Sequence, residues 1–268
     1  MLISEIHQRF KIKYDKIDSN SNPELTPEAI DLILNIAQDQ YIDQVYKQGI
    51  ELNQELQDAL APITKRFSSV TFYTDAFSEV NGKYVDLPSD YMRALMEQVY
   101  LNYPSCNQVK SGKIVSGQEY YVTDNSINYA GNSIQKDSVF VGSTQTSFTG
   151  SGKVFLNTKE WVKVLPNTRD RFLEDRKNPF KRPSTEFITR LVYSTNTKTY
   201  ELITSDNSFI SQYKLDYLRD VVQMKYGRQY AIPTTDVQCE LSQDAQIAII
   251  DLAVLEASKI LNQQVLKN

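Results

Sequence analysis

The stretch SQDAQIAIIDLAVLEASKILNQQ, from Ser242 to Gln264, weighs most in the reading of this fold. Ser242 is a suitable N-cap, and at 1.5 Å per residue a helix from there to Gln264 would be ~34 Å long. Ile247, Ala248, Ile249, Ile250, Leu252, Ala253, Val254 and Leu255 surround its axis, and between Ala245 and Ala257 only Gln246, Asp251 and Glu256 interrupt. Such a helix leaves almost no face to water, so either the chain's own sheet or a neighbouring subunit covers it. At about 25 cal/mol per Å² of apolar surface, either cover stabilises by several kcal/mol. The run falls short of the ~18 consecutive apolar residues of a membrane span.

Helical signals gather at the other end too. Ile3, Ile6, Phe10, Tyr14 and Ile17 recur at three- and four-residue steps, one face of a helix. After a turn at Asn20–Pro23, Thr26 can cap a second helix, Pro27 fits its first position, and Glu28 favours its dipole. Ile30, Ile33, Leu34, Ala37, Tyr41 and Val45 would carry its buried stripe to about Lys47, with Gly49 as its end. A further helix from Leu52 to Lys65 would complete an antiparallel helix hairpin, with Pro62 as a late disturbance.

Between the helical ends the texture is β. Asn81-Gly82, between Phe77–Val80 and Tyr84–Leu87, is the strongest hairpin signal. Strands are expected over Glu97–Tyr103, Trp161–Leu165, Phe187–Tyr193, Tyr200–Thr204 and Tyr213–Leu218, with a helix over Thr168–Arg176. The stretch Gly112–Gly152 holds six of the nine glycines and no proline, as a small all-β module joined by tight turns would. The expected class is therefore α+β: a helical body, formed by the N-terminal hairpin and the long C-terminal helix, carrying an antiparallel sheet. The body spans 1–110 and 156–268, and the inserted β module 111–155.

Composition narrows the chemistry. Twenty-nine Lys+Arg against 33 Asp+Glu give a net charge of −4, which does not suit an autonomous nucleic-acid binder. The single histidine, His7, and two distant cysteines, Cys106 and Cys239, exclude a zinc cluster and a dense disulfide framework. No phosphate loop forms, because Gly152-Lys153 is followed by Val154 and Ser147 stands where the first glycine is needed. There is no nucleophile elbow or metal-binding HExxH helix, and a Ser-His-Asp triad would have to recruit His7. The N-terminus meets charge within five residues and builds no signal peptide. The expectation is a protein without enzymatic activity, cofactor, metal, membrane association or small-molecule substrate.

What remains is surface. Arg169, Arg171, Arg176, Lys177, Lys181 and Arg182 face only Asp170, Glu174 and Asp175 within one stretch, which ends in Pro179-Phe180-Lys181-Arg182-Pro183. Seventeen tyrosines, each a large apolar body with a polar tip, suit wet protein interfaces as well as sheets and cores.

Several segments together carry a resemblance. Leu25-Thr26-Pro27-Glu28-Ala29-Ile30-Asp31 leads into a long helix, and Val85-Asp86-Leu87-Pro88-Ser89-Asp90-Tyr91, Asn178-Pro179-Phe180 and Tyr217-Leu218-Arg219 follow. Cys239-Glu240-Leu241 then opens the terminal helix with its Ile249-Ile250-Asp251-Leu252-Ala253. This set resembles the head-to-tail connector, or adaptor, ring proteins of tailed bacteriophages, most like those of the crAss-like group. The Gly112–Gly152 segment is similar to small β modules of phage virion and tail proteins.

The resemblance implies a virion structural protein, made in the host bacterial cytoplasm and seated at the portal vertex or tail. It would form a homo-oligomeric ring, twelvefold by the resemblance, between the portal protein and other tail or connector rings, supporting the genome channel and its ejection. On this expectation Ile249, Leu252, Leu255, Tyr120, Tyr121, Tyr129 and Phe180 meet neighbouring subunits or rings. Arg171, Arg176, Lys181 and Arg182 would face packaged DNA in the channel. The competing reading is a phage tail or surface adhesin whose β module binds carbohydrate.

Overall fold

The computed structural model describes residues 1–17, 25–48, 54–74, 82–194, 198–205, 208–230 and 234–265. The turn at Asn20–Pro23, the helix end at Gly49, the helix start at Leu52, the strand Phe77–Val80 with Asn81, and the hairpin link across 195–197 lie outside them. The chain forms two compact units, one from Met1–Lys65 with Leu218–Asn268 and one from Arg66–Tyr217.

The first unit is helical. Helix α1 (Ile3–Ile17) buries Ile3, Ile6, Phe10 and Tyr14. Helix α2 (Pro27–Lys47) starts as its sequence dictates, Thr26 Oγ1 accepting the Ala29 N–H at 3.3 Å and Pro27 occupying the first turn. Its buried stripe holds Ile30, Ile33, Leu34, Ala37, Ile42 and Val45, with Ile42 inside in preference to Tyr41. The next helix, α3 (Gln54–Leu60), is short. A 3-10 turn at Ala61–Ile63, seeded by Pro62, ends it, and by Thr64 the chain is already extended into strand β1 (Thr64–Ser69).

The second unit is β, and here the expected class is overturned. Strand accounts for 39% of the protein against 31% helix, so a helical body carrying a sheet is replaced, among the described residues, by a nine-stranded curled, mixed sheet together with five helices. Strands β2 (Gly82–Asp86), β3 (Tyr91–Val109), β4 (Glu119–Thr123), β5 (Ile127–Tyr129), β6 (Asn132–Ile134), β7 (Ser138–Val141), β8 (Phe148–Gly150) and β9 (Lys153–Asn167) follow in chain order. Helix α4 (Arg169–Asp175) and strands β10 (Phe187–Ser194), β11 (Thr199–Ile203) and β12 (Phe209–Arg219) complete the unit, and α5 (Gln243–Val265) closes the chain.

The sheet runs β1-β12-β3-β9-β10-β11-β2, with β4 paired to β9 and β7 to β4. It is not purely antiparallel, because β10 lies parallel to β9, with Ile188 opposite Val164, after a crossover through α4. The strands are also longer than expected. The pairing of β3 with β9 runs from Gln98–Lys163 to Val109–Val154, with a register break between Pro104 and Gln108 that accommodates the proline inside a strand. Curling brings distant strands together: Tyr91 of β3 and Tyr200 of β11 touch hydroxyl to hydroxyl at 2.5 Å, although β9 and β10 lie between them. The concave side encloses Val85, Val99, Leu101, Val162, Ile188, Leu202, Tyr213 and Leu215.

Residues 111–155 carry a core of their own, with Ile114, Tyr120, Val122, Ile127, Tyr129, Phe140 and Val154 buried together. Strands β6, β5 and β8 form a separate three-stranded sheet there, while β4 and β7 extend the large one through β9. The β5–β6 turn is made by Ala130 and Gly131, at φ +50° and +78°, the two positive values that a tight hairpin turn matching the strand twist requires.

Helix α5 packs on α1 and α2. Its cover is one-sided: Ala245, Ile249, Ile250, Ala253, Val254 and Ala257 are buried, while Leu255 is 55% and Ile260 43% exposed. Ala245, Ile249, Ala253 and Ala257, at steps of four, lie on the covered side. Among the described residues no helix is long and apolar enough to cross a membrane.

Candidate functional site

The expected interface residues separate into two groups. Ile249, Tyr120, Tyr121 and Tyr129 are at most 4% exposed, so they are core residues of the folded chain, and their expected place on a subunit interface is corrected. Tyr120 stacks on Phe140 at 5.4 Å and takes the Val115 N–H on its hydroxyl at 2.8 Å. Tyr121, its chain neighbour, packs from the other face of β4 on Phe209 at 5.8 Å. Tyr129 donates its hydroxyl proton to the Gln145 carbonyl and accepts the Ser143 N–H, both at 2.6 Å. A glycan has no access to these three rings in the folded chain. Leu252 is half-buried, and Leu255 and Phe180 reach solvent.

Phe180 is the most exposed large apolar side chain described, at 90%. The loop that carries it is built from α4 outward. Thr168 caps the helix, its Oγ1 accepting the Arg171 N–H, and Phe172 anchors it in an apolar cluster with Leu191 and Ile203. Beyond the helix, the Asn178 N–H bonds the Asp175 carbonyl at 2.9 Å, Asn178 Oδ1 accepts the Phe180 N–H at 3.0 Å, and the Asn178 carbonyl accepts from Lys181 and Arg182. These turns hold Phe180 at the tip, between Pro179 and Lys181, where a flexible loop would let it fold back onto apolar surface.

Four cations flank it in the chain. Arg176, Lys177, Lys181 and Arg182 are exposed, and no acid falls between residues 176 and 185. Asp175 sits at the base, held by Asn167 Nδ2 at 3.1 Å and facing Lys181 at 3.5 Å and Arg171 at 3.8 Å. The Asn167 bond, with these cations, keeps its carboxyl below the usual range. Arg169 turns the other way, to Glu201 at 3.0 Å. Arg176, Lys177 and Arg182 enter no ion pair among the described residues. Of the expected basic residues, Arg176, Lys181 and Arg182 thus lie on one loop with Phe180 at its tip, while Arg171 lies in α4 beside Asp175.

Two buried polar clusters lay beyond sequence reasoning. On the concave side of the sheet, Arg190 of β10 meets Glu97 of β3 at 2.5 Å, Tyr213 donates to the other Glu97 oxygen at 2.6 Å, and the Arg190 guanidinium lies 4.3 Å over the Tyr200 ring. Burial disfavours charge on Arg190, but Glu97 outweighs it and holds the arginine protonated; burial, reinforced by Glu97, pushes the Tyr213 hydroxyl well up. In the helical unit, His7 Nε2 bonds Asp31 Oδ1 at 2.7 Å, and Asp31 Oδ2 accepts the Tyr226 N–H at 2.8 Å and the Tyr230 hydroxyl at 2.7 Å. Burial and the Asp31 carboxylate push the Tyr230 hydroxyl up to about 12. These clusters fasten strands and helices to one another: Glu97–Arg190 spans β9, and Asp31 ties α1, α2 and the segment before α5. Only His7 of the second cluster is noticed in the sequence, as the single histidine; its partner Asp31 lies 24 positions away. Among the described residues no group of three or more His, Cys, Asp and Glu side chains could hold a metal ion.

No protein-family model matches the chain, and no curated protein matches it.

Proposed function

We propose that this chain is a structural subunit of a head-to-tail connector ring at the portal vertex of a tailed bacteriophage, acting by contact and not by turnover. The observation that carries the reading is the loop 176–182, where an aromatic ring is held out into solvent among four cations by a network of tight turns. Keeping a phenylalanine 90% exposed forgoes its burial, ~2 kcal/mol on transfer scales, and such a cost is recovered when a macromolecular partner covers it. The short motifs that resemble those of connector rings, Asn178-Pro179-Phe180 among them, suggest the kind of assembly. In that assembly the ring surrounds the genome channel, twelve copies around its axis, between the portal and the next tail ring.

The test is to place the protein in the particle. Mass spectrometry and electron microscopy of purified tailed particles, with an antibody to this chain, should find it at the portal vertex in a fixed ratio of one copy per portal subunit. Absence from the particles, with the protein abundant in the infected cell, would reject the reading.

A further inference from the structure

We infer that the 176–182 loop docks on the outer face of α2 of a second copy of this chain, Phe180 against Leu32 and Ile36, and the loop cations against Asp39, Asp43 and Asp220.

This inference rests on the ring reading for its biological setting, but its two surfaces are read directly from the molecule. One is the loop already described, a single exposed apolar side chain, Phe180, in a segment that carries Arg176, Lys177, Lys181 and Arg182, all exposed. The other lies on α2. Leu32, Ile36, Asp39 and Asp43 follow one another at steps of four, three and four, so they line one stripe of the helix. That stripe faces away from the buried one. Leu32 is 63% and Ile36 40% exposed, which leaves two large aliphatic side chains uncovered on adjacent turns. The segment after β12 runs alongside, the Asn35 amide donating to the Met224 carbonyl at 3.0 Å and the Gln38 amide reaching the Val222 carbonyl at 3.5 Å. It adds Val222, 47% exposed, and Asp220 to the same region. Partial burial and the carboxylates of Asp43 and Asp220 hold the Asp39 carboxyl above its usual range, the sign of negative charges crowded together.

Charge complementarity chooses the occupant. The whole chain carries −4, and the loop residues 176–182 carry four cations and no acid, so the remainder is the acidic partner the loop requires. A polyanion such as DNA would satisfy the cations but leave the Leu32–Ile36 face uncovered and offer Phe180 no aliphatic partner. A second copy answers both surfaces at once. Because the loop and the α2 face are different patches, the contact is heterologous, the kind that repeats from copy to copy and closes when the rotation between copies permits.

The test uses the full-length protein in four preparations: wild type, a loop variant (Phe180→Ser with Arg176→Glu and Lys181→Glu), a face variant (Leu32→Ser with Ile36→Ser, Asp39→Asn and Asp43→Asn), and an equimolar mixture of the two variants. Sedimentation velocity and native mass spectrometry read the assembly state at rising concentration. The expected result is that wild type assembles beyond a dimer, more weakly in 0.5 M salt (about 4 Å screening length) than in 0.05 M. Each variant alone loses at least tenfold in self-association, and the mixture forms a one-to-one dimer that grows no further, since the loop variant keeps an intact face and the face variant an intact loop. That dimer also shows both variants to be folded. Wild-type assemblies that persist unchanged in both variants would overturn the contact while leaving the ring reading standing. A wild type that stays monomeric, with its loop instead binding a 20-mer oligonucleotide in a Phe180-dependent way, would overturn it in favour of a phosphate backbone. Localisation in the particle is read separately, so failure of the contact and failure of the ring reading are told apart.

Discussion

Glu97 and Arg190 show at the scale of single residues how a buried charge is tolerated: the carboxylate takes both the guanidinium and the Tyr213 hydroxyl, and the guanidinium lies on the Tyr200 ring. Removing one partner is far worse than never having had the pair. Glu97→Ala is expected to destabilise the protein by about 3–5 kcal/mol, because Arg190 is left buried without its counter-charge. Thermal unfolding followed by circular dichroism checks this, and Glu97→Gln should recover part of the loss through the Tyr213 bond. Gly142 is constrained differently. A Cβ there would come 2.1 Å from the Val115 carbonyl oxygen, so Gly142→Ala must push backbone aside and should cost roughly 1–3 kcal/mol in urea titration, by the scale of overpacked sites. The sequence marks Gly142 only as a turn residue, with Ser143, and does not single out Glu97. Glu97 sits in an ordinary alternating stretch, and its partner arrives from a strand 93 positions later.

The helices divide into parts that local chemistry specifies and parts it does not. The start of α2 is written in Thr26-Pro27-Glu28, and Thr26→Ala should lower stability by about 1 kcal/mol through loss of the cap, measured in the same melts. The all-round apolar pattern of α5 announces burial without saying on which side. Packing on α1 and α2 selects the Ala245–Ile249–Ala253–Ala257 face, so Ile249→Ala should cost about 2–5 kcal/mol and Leu255→Ala within about 0.5 kcal/mol. On α2 the crowded Asp39 carries an opposite expectation. Its folded-state pKa is raised, so deprotonation works against the fold as pH rises through that value, and Asp39→Asn should raise the melting temperature at neutral pH. The same change should weaken docking of the loop, which is how a surface kept for a partner differs from one tuned for stability. Among the strands, β3 escaped full recognition because a curled sheet half-buries both faces of a long strand, which erases the alternation that marks one.

At the scale of the whole molecule, stability toward acid is set by carboxylates that ion pairs hold in their charged form. Arg219 bonds Glu240 at 2.8 Å and 3.0 Å, and this pairing, against some burial, lowers the Glu240 pKa; Lys159 and Asn157 do the same for Glu119. A lowered folded-state pKa means stability that is complete above the unfolded value, about 4.3 for glutamate, and is lost as pH falls through the folded one. Melting temperature should therefore decline below about pH 5, and Arg219→Ala should flatten that decline. The sequence by itself determined the cap and stripe of α2, the stripes of α1, the presence of α5, the turn-rich character of 111–155 and the basic loop with Phe180, because each rests on residues a few positions apart. Only tertiary structure decided that the protein is built on a mixed, curled sheet, that β10 runs parallel to β9, that Tyr120, Tyr121 and Tyr129 lie inside, and that Glu97 meets Arg190. These follow from strands meeting across tens of residues, where the free energy lies in surface removed from water and in charges paired out of it, neither of which leaves a periodic mark on the local chain.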